Sequence, residues 1–171
     1  RIMATGNRVF LDLKFHDIPN TVVGAVRAAV RLGPFMLNVH ASGGADMMRS
    51  AVAAAHAEVG SARPMMLAVT VLTSLGDEDL AAGGIAGSAE DQVDRLAQLA
   101  AQCAMDGVVC SPREVARLRA AQGPHFVLVV PGVRPDWAES GDQKRIAPPA
   151  EAVAAGADYL VIGRPITRAD D

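Results

Sequence analysis

The stretch Val9-Phe10-Leu11-Asp12-Leu13-Lys14-Phe15-His16-Asp17-Ile18-Pro19-Asn20-Thr21 sets a pattern that the rest of the chain repeats. A short, mostly apolar run over 9–15 ends in a polar loop. An Ala/Val-rich amphipathic segment over 21–32 follows, stopped by Gly33-Pro34. Short apolar runs recur at 36–41, 65–72, 107–110, 126–133 and 159–162, with helix-like segments at 45–58, 89–105, 112–121 and 149–155 between them. Runs this short, rich in Val, Leu, Ile and Met and bounded by Gly, Pro, Ser or Asp, are how parallel strands buried on both faces read. Gly60 closes the second helical segment, Ser88 with Asp91 is placed to cap the third, and Ser111 precedes Pro112 at a first-turn position. The Gly-rich segment 73–87 reads as a loop with a short helix over 77–82.

Six successive β-then-α units imply a parallel α/β sheet with right-handed crossovers. No GxGxxG or GxxxxGK[ST] follows any of the strands, so nothing supports the nucleotide-binding form of an open sheet. The remaining solution is a (β/α)8 TIM barrel, which ordinarily takes about 250 residues. The 171 residues here supply six of eight units. Residues 1–7 read as the tail of a helix already under way, and 167–171 as the start of one not finished. The expectation is a single barrel domain over 1–171, truncated at both ends, with the first two strands and the last helix missing.

A formal charge of −3 argues against a dedicated nucleic-acid binder, which needs a basic face, and 4% aromatic residues disfavour a base-stacking platform. No apolar run approaches the ~20 residues that span a bilayer, so no membrane association is expected. Cys103 and Cys110 form neither a CxxC pair nor a disulfide framework, which fits a reducing cytoplasm.

In parallel α/β folds, chemistry collects where strands deliver the chain into loops. Asp12 and Lys14 are two apart on a strand, so both side chains are expected on one side, with Asp17 adding a second carboxylate in the loop. Opposite charges on a strand face are expensive unless they pair, which makes this the foremost candidate site. A second candidate is Gly163-Arg164-Pro165 after the last strand, where backbone N–H groups and a guanidinium fork suit a phosphate. A third is the long loop 134–147, with Arg134, Lys144 and Arg145 around Gly141-Asp142-Gln143, read as a lid carrying a well for an anion. His16, His40, His56 and His125 lack metal-ligand spacing; His40 and Ser42 end the second strand and are placed to line the site. The two cysteines and seven methionines read as packing.

With Asp12-Leu13-Lys14-Phe15-His16-Asp17-Ile18-Pro19-Asn20-Thr21 on the page, the chain closely resembles the orotidine 5′-phosphate decarboxylase family, in its bacterial DLKFHDIPNT group. The resemblance continues through Asn38-Val39-His40-Ala41-Ser42-Gly43-Gly44, Thr70-Val71-Leu72-Thr73-Ser74, Pro131-Gly132-Val133-Arg134-Pro135, Gly141-Asp142-Gln143-Lys144-Arg145 and Ile162-Gly163-Arg164-Pro165. It implies a TIM barrel acting as a homodimer with shared active sites, which decarboxylates orotidine 5′-monophosphate to UMP and CO2 in pyrimidine biosynthesis with no metal or organic cofactor. It further implies that Lys14 protonates C6, that Asp12 flanks it beside the departing carboxylate, that Asp17 with Thr21 reaches the neighbouring subunit's site, and that Ile18 is a substrate-binding residue. By the same resemblance, Thr73 holds the pyrimidine edge, Gln143 bridges base and phosphate, Gly163 and Arg164 hold the phosphate, and Arg134 contacts ligand.

The family pattern also places an Asp at the end of the first strand and a Lys at the end of the second, both before Arg1. Taken alone, the 171 residues therefore predict an incomplete charge array, open strand edges and little turnover. Two rivals follow. One is a catalytically incompetent fragment that at most binds nucleotide. The other is a Mg-dependent sugar-phosphate decarboxylase or aldolase of the same superfamily, which a chelator would inactivate.

Overall fold

The structure is a computed structural model that describes residues 2–135 and 145–168. Six strands alternate with helices along the chain: β1 (Phe10–Phe15), α1 (Pro19–Val30), β2 (Met36–His40), α2 (Ala45–Val59), β3 (Met65–Val69), α3 (Asp77–Ala82), α4 (Ala89–Gln102), β4 (Gly107–Val109), α5 (Val115–Gln122), β5 (Val127–Val130), α6 (Pro149–Ala154), β6 (Tyr159–Leu160) and α7 (Arg164–Thr167). The six β/α units expected from the apolar pattern are all present. They are arranged as two compact units, one of residues 1–69 with 98–107 and the other of 70–97 with 108–171.

In the first unit, β1, β2 and β3 pair in parallel and in chain order. Met36, Leu37, Asn38 and Val39 of β2 are all buried, the mark of a central strand covered on both faces. Against the strands, α1 contributes Val22, Val26, Ala29 and Val30, an i, i+4, i+7, i+8 stripe, while α2 contributes Met47, Met48, Ala51, Ala54 and Ala55. The two helices pack on each other. Helix α2 starts after Gly44, whose φ of +88° is open to glycine and strained for any other residue there.

In the second unit the strand order is β4-β5-β6, with β5 and β6 parallel. Leu128, Val129 and Val130 of β5 are fully buried and share a core with Val93, Ala97, Val115, Leu118 and Ala152. Ser88 caps α4 as expected: its Oγ accepts from the Asp91 N–H (3.1 Å) and the Ser88 N–H donates back to the Asp91 carboxylate (3.2 Å).

Several boundaries differ from expectation, among them the strand expected over 65–72, which ends at Val69, and the strand expected over 159–162, which covers only Tyr159–Leu160. The run 126–133 yields a strand only over Val127–Val130, because Pro131 has no N–H to donate and Gly132 turns the chain at φ +77°. The segment 112–121 opens as a 3-10 turn, Pro112–Glu114, before α5. The first residues form a 3-10 turn, Ile2–Thr5, rather than the end of an α-helix, and the last helix begins at Arg164, not at 167. Among the described residues, no helix is long and apolar enough to cross a membrane.

Candidate active site

The first unit carries the charged cluster. Both carboxylate oxygens of Asp12 accept from the Lys14 ammonium at 2.7 Å, so the two side chains share a side as their spacing predicts. The route to that arrangement is not a regular strand. Leu11 pairs with Leu37 and Phe15 with Val39, so Asp12, Leu13 and Lys14 together stand opposite the single residue Asn38. This is a bulge, and Lys14 sits in it at φ +49°, in the left-handed region that few non-glycine residues enter. Asn38, fully buried, meets both ends of the bulge: its Oδ1 accepts from the Lys14 N–H (2.8 Å) and its Nδ2 donates to Asp12 Oδ1 (2.6 Å).

Two histidines border the pair. His16 and His40 face each other with ring centroids 5.4 Å apart. Burial pushes the His40 imidazole below its ordinary value, and the neighbouring His16 and the Lys14 ammonium push it further the same way, against the opposing pull of Asp12. His40 thus lines the cluster as a neutral group. Asp17 and Ile18 lie on the exposed turn into α1, where Asp17 Oδ1 accepts from the Ile18 N–H (2.7 Å), and Thr21 is exposed in the first turn of that helix. Ile18 is 67% exposed.

The second unit carries the other candidates. Thr73 is buried in the turn that follows β3. Arg134 is buried beyond β5, its Nη1 donating to the Val133 carbonyl (2.8 Å) and its N–H to the Ala147 carbonyl (3.0 Å). Gly163 precedes α7, and its carbonyl accepts from the Ile166 and Thr167 N–H groups; Arg164 is exposed at the first position of that helix. Gln143 and Lys144 lie outside the described residues.

One expectation is overturned. Arg145 is not a cation of an anion well. It is 7% exposed and paired with the 1% exposed Glu114 at 2.7 Å, and its Nη2 donates to the Val71 (2.9 Å) and Leu72 (3.1 Å) carbonyls. The other Glu114 oxygen accepts from the Ser111 N–H (2.8 Å). A guanidinium with these partners is a structural tie between chain segments, and it fixes the two residues that precede Thr73.

Asn38 and Glu114 escaped the sequence reading. Each had a signal: an amide in the middle of the apolar run Met36-Leu37-Asn38-Val39, and a Glu three residues after the capping Ser111. Both cysteines are buried packing residues as expected, and burial pushes the Cys110 thiol well up, leaving it unreactive.

The model of the Orotidine 5′-phosphate decarboxylase / HUMPS family matches residues 1–171. The chain belongs to this family. Curated members of the orotidine 5′-phosphate decarboxylase family include proteins of that name from Rhodospirillum rubrum, 60% identical over 95% of this chain and 67% of that one, and from Saccharophagus degradans, 56% identical over 100% of this chain and 71% of that one. The crystal structure of orotidine 5′-phosphate decarboxylase from Lactobacillus acidophilus is similar at a TM-score of 0.86 and 39% identity, covering 99% of this chain and 72% of that one. The fold class read from the repeated β/α units is therefore that of the family, and this chain spans about two thirds to three quarters of its relatives' length.

Proposed function

We propose that the chain is the catalytic portion of a cofactor-independent carboxy-lyase that converts orotidine 5′-monophosphate to UMP and CO2. The observation that carries this reading is the Lys14 ammonium held 2.7 Å from both oxygens of Asp12 in a bulge of β1. Breaking the bond from C6 to the carboxylate leaves an electron pair on C6, in an orbital with little resonance relief. A fixed cation beside that carbon lowers the barrier, and the same cation can then supply the proton. Lys14 fills both roles. The amine left behind regains a proton from solvent, which balances the overall exchange of CO2 for H+ at C6.

Asp12 serves twice. It orients the ammonium, and its negative charge lies next to the substrate carboxylate, a repulsion relieved as CO2 leaves. The phosphate takes no part in bond-making, but its binding can drive closure over the base. In this reading Arg164, Gly163, Arg134 and Gln143 hold the phosphate side, and Thr73 meets the pyrimidine. Asp17 and Thr21 are contributed to the site of a second copy in a homodimer, and Ile18 binds substrate; the exposure of all five residues from Asp17 to Thr21 leaves them accessible for these roles.

The test is turnover of orotidine 5′-monophosphate by the protein and by Lys14→Ala. The variant is expected to lose about 10³-fold or more in kcat, since it removes the charge stabilisation and the proton donor together. Turnover by Lys14→Ala at the wild-type rate would overturn the assignment.

A further inference from the structure

We propose that Asn38 is a positioning residue, whose buried amide clamps the β1 bulge at Asp12 and at the Lys14 backbone and so sets where the Lys14 ammonium points. The inference rests on the catalytic reading of Lys14 above and goes beyond it to a residue with no direct part in the chemistry.

A primary amide fully removed from solvent among Met36, Leu37 and Val39 is costly unless its polar atoms are satisfied. Asn38 is satisfied by the bulge on one side and the carboxylate on the other. Its orientation is fixed by chemistry. Rotated by 180°, the amide would set its NH2 against the Lys14 N–H and its oxygen against the Asp12 carboxylate, exchanging two attractions for two repulsions. The Lys14 N–H donates to Asn38 Oδ1 at the residue that holds the left-handed conformation, so the amide braces the bulge at its strained position.

On the other side, Asp12 Oδ1 is shared between Asn38 Nδ2 and the ammonium, so one rotamer of Asp12 satisfies both. No other residue of similar size does this. Leucine offers neither group, aspartate keeps the acceptor but sets a second carboxylate against Asp12, and alanine leaves both ends of the bulge unheld.

The experiment measures kcat and KM for orotidine 5′-monophosphate with Asn38→Ala, Asn38→Asp and Lys14→Ala, and with Asn38→Ala placed in an Asp12→Ala background. Asn38→Ala is expected to lower kcat about 10–100-fold with KM within about threefold, because a displaced ammonium costs rate rather than ground-state binding. In the Asp12→Ala background the same substitution is expected to cost less than in wild type, since one of the two groups it holds is gone.

Wild-type kcat in Asn38→Ala, or an equal loss with and without Asp12, would overturn the proposal. Should Asn38→Ala fail to fold, the near-isosteric Asn38→Asp is read in its place. It is expected to lose kcat with KM unchanged, and wild-type kcat there would overturn the proposal equally. Lys14→Ala separates the two levels: if it is inactive while the Asn38 variants are unimpaired, the positioning role alone fails, and if it is active, the catalytic reading itself fails.

Discussion

Lys14 adopts φ +49° inside a strand, a conformation that costs a non-glycine residue about 1–3 kcal/mol and persists only where its surroundings over-determine it. Here the surroundings are Asp12 and Asn38. Spacing alone predicted the juxtaposition of Asp12 with Lys14, but not the bulge that achieves it, because the residue opposite a bulge comes from another strand. His40 belongs to the same scale. Its imidazole is held below the ordinary value of 6.5, so the unfolded chain takes up a proton at a pH where the folded chain does not. Stability is therefore expected to fall as pH drops through the unfolded value, and to level off once the folded value is passed. Urea midpoints at pH 7.5 and pH 5.5 measure the drop, which should be smaller in His40→Asn. Equal drops in the two proteins would refute a neutral, half-buried His40.

Between elements, the same device recurs in both units. Asp106, just before β4, accepts from the Met66 N–H (2.7 Å) and pairs with Arg63, while its own N–H donates to the Met66 carbonyl. Asp158, just before β6, accepts from the Leu128 N–H (2.8 Å) and pairs with Arg119, and its N–H donates to the Leu128 carbonyl. Each carboxylate meets the N–H of a strand residue and is itself held by a guanidinium, at the start of a strand, the end that barrel folds devote to stability. The Glu114–Arg145 tie has higher stakes because it is buried. Glu114→Ala strands the Arg145 charge and the Ser111 N–H, and is expected to destabilise by about 3–5 kcal/mol, read as a lowered urea midpoint. A loss under about 1 kcal/mol would mean that water reaches the guanidinium and that the tie is loose. The short helix over 77–82 and the Ser88 cap were legible because they depend on neighbours in sequence. The ends of β3 and β5 were not: apolarity marks a residue as buried, whereas a strand ends where its ladder partner does.

At the level of the assembled molecule, the proposed homodimer makes a prediction that no single copy does. If Asp17 serves the neighbouring copy's site, Lys14→Ala and Asp17→Ala, each inactive alone, should regain activity when mixed and allowed to exchange subunits. Random pairing gives heterodimers in half of the dimers, each with one unaltered site of two, so about a quarter of wild-type activity is the ceiling. No recovery after demonstrated exchange would place Asp17 in its own subunit's site. By itself the sequence determined the succession of β/α units, the family, and which side chains carry charge to the loops, because hydrophobic period and residue chemistry are local properties of the chain. Only the tertiary structure decided that Asn38 grips the lysine bulge and that Arg145 is spent on Glu114 instead of facing an anion. Hydrogen bonds between residues 24 to 74 positions apart exist only once folding has brought their strands and loops together, and a buried polar group takes its role from whichever partner it meets there.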